Sequence, residues 1–331
     1  MKYLIGLVGV LGLVAGCSKP FSANKIAIYT SLEESVAQKL AEGFEKDSGI
    51  KVEFVRLATG EASARIEAEK NNPQAALWLG GVGIGHAELK FKDLTTPYIS
   101  QTTEKIPMSL RDERGYWNGL YQGILVFAAN KSQLEKKNLT IPTTWSELLD
   151  PKWKGMIQIP NPGTSGTSYN LLTALIQSMG EEKAFNYMKS LHKNISQYTK
   201  SGMAPTKNVA IGETVLAVGY FHDIIRLVEE SRAPIQISIP LDGTGYEVSA
   251  VSLIKGGPKP ELAAQLIEWM YSPRASQILA DGYYVPIFLE GVEMKKEAIL
   301  PKGLKLIDVN MDWAGQNKER LINLWNSKVN T

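Results

Sequence analysis

An α/β protein of two lobes with mixed, mostly parallel sheets is the fold class this sequence predicts. From Lys25 onward, short β-branched and aromatic runs alternate with amphipathic stretches at helical spacing. The roughly 300 residues involved are about two ordinary domains' worth. A late apolar run, Ala250-Val251-Ser252-Leu253-Ile254, re-enters a strand pattern far from the first block.

Lys25-Ile26-Ala27-Ile28-Tyr29 reads as the opening strand. Thr30-Ser31 then reads as a cap, with Glu33-Glu34 in the first turn and Val36, Leu40 and Phe44 on one helical face. Ser48-Gly49 stops that helix, and Lys51–Val55 alternates as a second strand. A second helix opens at Gly60, and Ala76-Leu77-Trp78-Leu79 is a short buried strand ending in Gly80-Gly81. A further block follows the run Gly123–Asn130. It holds a loop at Pro142–Trp145, a strand at Gly155–Pro160, helices over Ser168–Met179 and Glu182–Leu191, and a strand-like return at Ile235–Ile239. Helices around Leu262–Tyr271 and Lys318–Trp325 close the chain. This predicts lobe 1 over 25–123, lobe 2 over 124–240, and a return to lobe 1 with C-terminal helices over 241–331. Crossing strands near Gly123–Val126 and Pro240–Gly243 would leave a cleft between the lobes, a favoured place for ligands.

Hydrophobic residues make up 44% and charged residues 21%, the balance of a globular protein with a full core. A formal net charge of +2 without a basic run points away from nucleic acid. The single cysteine, Cys17, rules out an internal disulfide and a Cys-rich metal site. Residues 1–16 carry Lys2 and an apolar run from Tyr3, shorter than the roughly 18–20 residues a spanning helix needs. Small residues before Cys17 complete a secretory signal, and Val14-Ala15-Gly16-Cys17 resembles the bacterial lipobox, whose cysteine is acylated. The expectation is a cleaved leader (1–16), a lipidated tether (17–24) and a monomeric body anchored through Cys17 outside the cytoplasmic membrane. The alternative is an ordinary signal peptide with an incidental cysteine.

The lipobox, Ile28-Tyr29-Thr30-Ser31, Phe44–Val52 and Pro142-Thr143-Thr144-Trp145 with Leu148–Pro151 and Trp153-Lys154-Gly155 resemble extracellular solute-binding proteins of ABC importers. The nearest group holds ferric-iron, hexose-phosphate, phosphoglycerate and aminoethylphosphonate binders. The resemblance implies a type II periplasmic-binding fold whose lobes close over one small solute and deliver it to a membrane permease, with no cofactor and no catalysis.

Asn161–Tyr169 follows a strand and opens a helix, with glycines for close approach and hydroxyls at the positive helix end. In the resembled family this segment grips a phosphate, which makes Thr164, Ser165, Gly166 and Thr167 the candidate anion site. The alternative is N-capping by Thr167 or Ser168. Thr59-Gly60-Glu61-Ala62 and Gly80-Gly81-Val82-Gly83 are weaker candidates for the opposite wall, with Gly60, Glu61 and also Ser31 as contacts. Iron binders in this family carry a histidine after the first strand and an adjacent tyrosine pair. Here Ser31-Leu32-Glu33 has no histidine, and Phe221 interrupts the pair, leaving Tyr220 as the iron candidate. Tyr283-Tyr284 is expected to pack in the C-terminal region, and His86 and His192 to be isolated packing or surface residues. Phe221-His222-Asp223 and Glu247 resemble the hexose-phosphate binders instead, where a His-Asp pair and a later glutamate hold sugar hydroxyls. The alternatives are a structural pair at a helix start for His222-Asp223 and an exposed strand residue for Glu247. Rings such as Tyr29, Trp78 or Tyr220 would face the ligand body. The expected solute is a small phosphorylated organic molecule, with ferric ion second. A serine hydrolase is a minor alternative, because Gly163-Thr164-Ser165-Gly166-Thr167 lacks the final glycine of a nucleophile elbow.

Overall fold

A computed structural model describes residues 24–329, so Cys17, the leader and all of the tether except Asn24 lie outside the described residues. Lobe 1 begins β1 (Lys25–Thr30), α1 (Glu34–Ser48), β2 (Lys51–Arg56), α2 (Thr59–Ala68), β3 (Leu77–Val82), α3 (Gly83–Phe91) and β4 (Thr95–Thr96). β1 runs parallel to both β2 and β3. The α1 start differs from expectation. Glu33 is the N-cap and its carboxylate accepts from the Ser35 N–H at 2.8 Å. Thr30 instead donates its hydroxyl to the Leu79 carbonyl, which ties β1 to β3. Gly49 ends α1 in the left-handed conformation, φ 72°.

The long strand β5 (Asn118–Asn130) then leaves lobe 1. Its first half pairs antiparallel with β10 (Thr244–Ile254) and β11 (Val285–Pro286). From Leu125 it pairs instead with β8 (Leu216–Tyr220), and from Phe127 also with β9 (Ile235–Ser238). Lobe 2 is completed by α4 (Lys131–Lys137), β6 (Ile157–Pro160), α5 (Gly166–Met179), α6 (Glu181–His192), β7 (Ile195–Thr199), α7 (Ala204–Ile211) and α8 (Phe221–Ser231). β6 lies parallel between β7 and β8. β10 returns antiparallel between β3 and β5, giving the order β2-β1-β3-β10-β5-β8-β6-β7.

After β10 come α9 (Pro260–Met270), α10 (Pro273–Asp281), β11, β12 (Leu306–Ile307), α11 (Met311–Gln316) and α12 (Lys318–Lys328). α9 and α10 add Leu266, Ile267 and Leu279 to the lobe 1 core around Leu40, Phe44 and Leu77. α12 goes to the other lobe, where Leu321 and Trp325 join Phe127, Trp153 and Ile159. Its first residue reaches back: Lys318 Nζ lies 2.5 Å from Glu88 Oε2 on α3, and Ser63 on α2 donates to the same oxygen. Among the described residues no helix is long and apolar enough to cross a membrane.

Candidate functional site

The strand ends and helix starts of both lobes meet in one cleft with about 450 Å³ of empty volume. Ser31, Ser165, Gly166, Thr167, Tyr220, His222, Asp223 and Glu247 all line it.

Its first end is built by α5. Ser165 is the N-cap residue, with extended backbone (φ −114°, ψ 125°), yet its hydroxyl makes no capping bond. The N–H groups of Gly166, Thr167 and Ser168 have no intrahelical acceptor because they occupy the first turn. The buried hydroxyls of Ser165 and Thr167 have no protein partner among the described residues, and Ser168 Oγ is likewise buried and unpartnered. Neither Thr167 nor Ser168 therefore caps the helix. The loop before α7 presses on the same spot, since a Cβ on Gly202 would strike Thr167 Oγ1 and lie 3.1 Å from Ser165 Oγ. Hydroxyls, helix-start N–H groups and a glycine-lined wall together suit an oxyanion.

The other end is built where β8 meets α8 and where β10 crosses β5. His222 Nε2 lies 3.5 Å from Glu247 Oε1 and 3.8 Å from Asp223 Oδ2. Burial lowers the His222 pKa to about 4, so its ring is neutral at pH 7. Burial, with the nearby Asp223 charge, pushes the Glu247 carboxyl well above its ordinary range. Asp223 is itself held by Arg226, 3.2 Å away. His222 Nδ1 and Glu247 Oε1 have no hydrogen-bond partner among the described residues. Aromatic rings fix the imidazole: Tyr220 stacks on it at 5.5 Å, Tyr121 meets it edge-on at 5.4 Å, and Tyr284 lies 4.5 Å away. Asn170 donates to the Tyr220 hydroxyl at 2.8 Å. Gly123 makes room, because a Cβ there would lie 2.7 Å from His222 Nδ1 and 3.1 Å from Glu247 Oε1. This end offers a neutral imidazole and a buried carboxyl beside the Asp223–Arg226 ion pair, donors and acceptors that suit hydroxyls.

Residues 86–317 match the family described as bacterial extracellular solute-binding proteins. The chain belongs to that family. The periplasmic binding protein AfuA of Actinobacillus pleuropneumoniae, solved with exogenous fructose-6-phosphate bound, is similar at 35% identity. The TM-score is 0.89, covering 93% of this chain and 99% of that one. Iron uptake protein A1 of Synechocystis is 29% identical, covering 84% of this chain and 79% of its own. A putative 2-aminoethylphosphonate-binding periplasmic protein of Salmonella typhimurium is 26% identical, covering 81% and 80%. The architecture is the type II periplasmic-binding fold, and the role is that of a solute-binding protein of an ABC importer.

Within this solute-binding protein some expected contacts sit elsewhere. Glu61 is exposed, and its carboxylate accepts from the Ala58 N–H at 3.0 Å, capping α2. Thr164 donates its hydroxyl to the Lys200 carbonyl outside the cleft. Gly60 faces Thr164 rather than the cleft volume. Tyr29 turns away to donate to Glu69, and Trp78 acts indirectly by donating to Ser31 Oγ at 3.0 Å. His86 is a packing residue, stacked on Trp78 at 3.9 Å and bonded to Ser252. Tyr283-Tyr284 divides: Tyr283 takes a positive φ of 67° beside Lys295, and Tyr284 thereby swings into the cleft. Of the weaker candidate segments, Thr59, Gly81 and Val82 line the cleft; Arg56, Tyr121 and Gly202 also line it and carry no sequence signal that separates them from ordinary strand or turn residues. Among the described residues no group of three His, Cys, Asp or Glu side chains is arranged to hold a metal ion.

Proposed function

We propose that the solute is a small phosphorylated organic molecule of the sugar-phosphate type. Its phosphate would lie against Ser165, Gly166 and Thr167, and its hydroxyls against His222, Asp223 and Glu247. The observation that carries this reading is the asymmetry of the cleft. One end has unpartnered hydroxyls and helix-start N–H groups suited to an anion; the other has an imidazole and two carboxyls, one of them paired with Arg226, suited to hydroxyls. Ser31, freed as a donor because Trp78 bonds its oxygen, adds a contact from lobe 1. A ferric cargo would need phenolates, and burial raises the pKa of Tyr121, Tyr220 and Tyr284. The protein does no chemistry itself; it closes on the solute and passes it to a permease. The body is tethered through a lipid on Cys17 and works as a monomer.

A thermal-shift screen tests the solute class with sugar phosphates, phosphoglycerates, phosphonates, inorganic phosphate and ferric salts. A sugar phosphate at about 1,000 times its Kd should add ~4 kcal/mol of stability. A stoichiometric ferric complex with a phenolate absorption band, lost in Tyr220→Phe, would overturn the reading. For the anchor, Cys17→Ser should abolish partitioning into detergent, and unchanged partitioning would refute it.

A further inference from the structure

Gly60 and Gly166 meet across the cleft in a way that neither lobe requires for itself. The Gly60 N–H donates to the Thr164 carbonyl at 3.0 Å, joining α2 of lobe 1 by backbone to the loop before α5 of lobe 2. A Cβ on Gly60 would lie 2.6 Å from the Gly163 carbonyl oxygen and 2.7 Å from that of Thr164. A Cβ on Gly166 would lie 2.7 Å from Thr59 Oγ1 and 2.8 Å from Val82 Cγ2. Neither glycine has a positive φ, so local conformation does not demand it. Both sit in the first turn of a helix, where alanine is tolerated. In each case the three atoms nearest the missing Cβ belong to the opposite lobe.

We propose that Gly60 and Gly166 form a reciprocal latch between the lobes, and that Gly60 governs solute capture by permitting closure rather than by touching the solute. Only backbone fits at this approach, so the closed form exists only while both positions stay bare. Ser165 and Thr167 flank Gly166, so the latch seals the cleft at its anion end. The proposal rests on the two-lobe solute-binding fold and does not depend on which solute is bound.

Interlobe distance tests it. In the protein carrying Cys17→Ser, spin labels at Lys70→Cys on lobe 1 and Lys189→Cys on lobe 2, both exposed, report opening by pulsed electron resonance. Spectra are taken without solute and with saturating fructose 6-phosphate. Without a Gly60 or Gly166 change, the chain should populate the short, latched distance in at least one condition. Gly60→Ala and Gly166→Ala should each lower the closed-to-open ratio about tenfold or more, while circular dichroism and the melting of each variant stay close to the parent. Gly163→Ala is the control, since a Cβ there would meet only its own lobe's Asn161 and the α12 residue Ile322, and should leave the ratio unchanged. An unchanged ratio in Gly60→Ala overturns the latch. So does equal depletion by Gly163→Ala, or a parent chain that never shows the short distance. If fructose 6-phosphate has no effect while the glycine variants still open the solute-free protein, the latch stands and the sugar-phosphate reading falls.

Discussion

Acidification from pH 6.5 toward pH 4 should destabilise the protein through two buried histidines, with Glu247 working against them. Burial holds His86 and His222 at a pKa of about 4, against 6.5 for an unburied histidine. Between those values the unfolded chain binds a proton at each and the folded chain does not. Their stabilising contribution is therefore complete above pH 6.5 and is lost as the pH falls. Glu247 has the opposite sign, because its folded pKa is raised well above 4.5. The folded carboxyl keeps its proton while the unfolded one loses it, so this contribution is complete below pH 4.5 and lost as the pH rises. At pH 5.5 each histidine gives an uptake of ~0.9 proton on unfolding, a slope of about 1.2 kcal/mol per pH unit apiece, and proton release from Glu247 opposes it. His222→Gln should lower the slope by about 1.2 kcal/mol per pH unit, and Glu247→Gln should raise it. Denaturant unfolding of solute-free protein at pH 5.0, 5.5 and 6.0 measures this directly. Equal slopes in His222→Gln and wild type would refute the assignment of a buried, neutral imidazole.

The anion end predicts that Ser165→Ala weakens solute binding roughly ten- to a hundredfold, the worth of a charge-assisted hydrogen bond. Its melting temperature should hardly move, because the hydroxyl caps nothing; calorimetric titration beside a melt separates the two. Gly123→Ala should cost about 1–3 kcal/mol by overpacking and displace His222, which a loss of both stability and affinity would report. Lys318→Met leaves the buried Glu88 carboxylate with only Lys92, 3.0 Å away, and the Ser63 hydroxyl, and should cost ~1–3 kcal/mol, part of it recovered when Glu88→Leu is added. A double-variant unfolding curve no better than that of Lys318→Met alone would count against the pair.

The strands and first helices of lobe 1 are legible in the sequence because alternation, a helical apolar stripe and glycine stops agree there. β8 is not, since Leu216-Ala217-Val218-Gly219-Tyr220 runs straight into α8 without a turn residue to mark the boundary. α3 escapes notice because its first turn carries Gly83 and Gly85, which read as loop. In the site, the hydroxyls before α5 stand out by composition, whereas His222 and Glu247 come together only through β10 crossing beside β5 and α8. Glu61 misleads because an acidic residue in the first helical turn serves a cap as well as a ligand. Tyr121 and Tyr284 look like core aromatics, and only the fold shows that both rings pack against His222.

The placement of β10 and α12 also sets a timetable for folding. Lobe 1 cannot close its sheet until residue 254 is available, because β10 is the strand that lies between β3 and β5. Lobe 2 is nearly continuous in sequence, yet Trp325 sits in its core. Neither half can be finished while the chain is still arriving from its N-terminus, and contacts of such long sequence separation form slowly. A chain of this design completes both of its cores only once its last helix has been made.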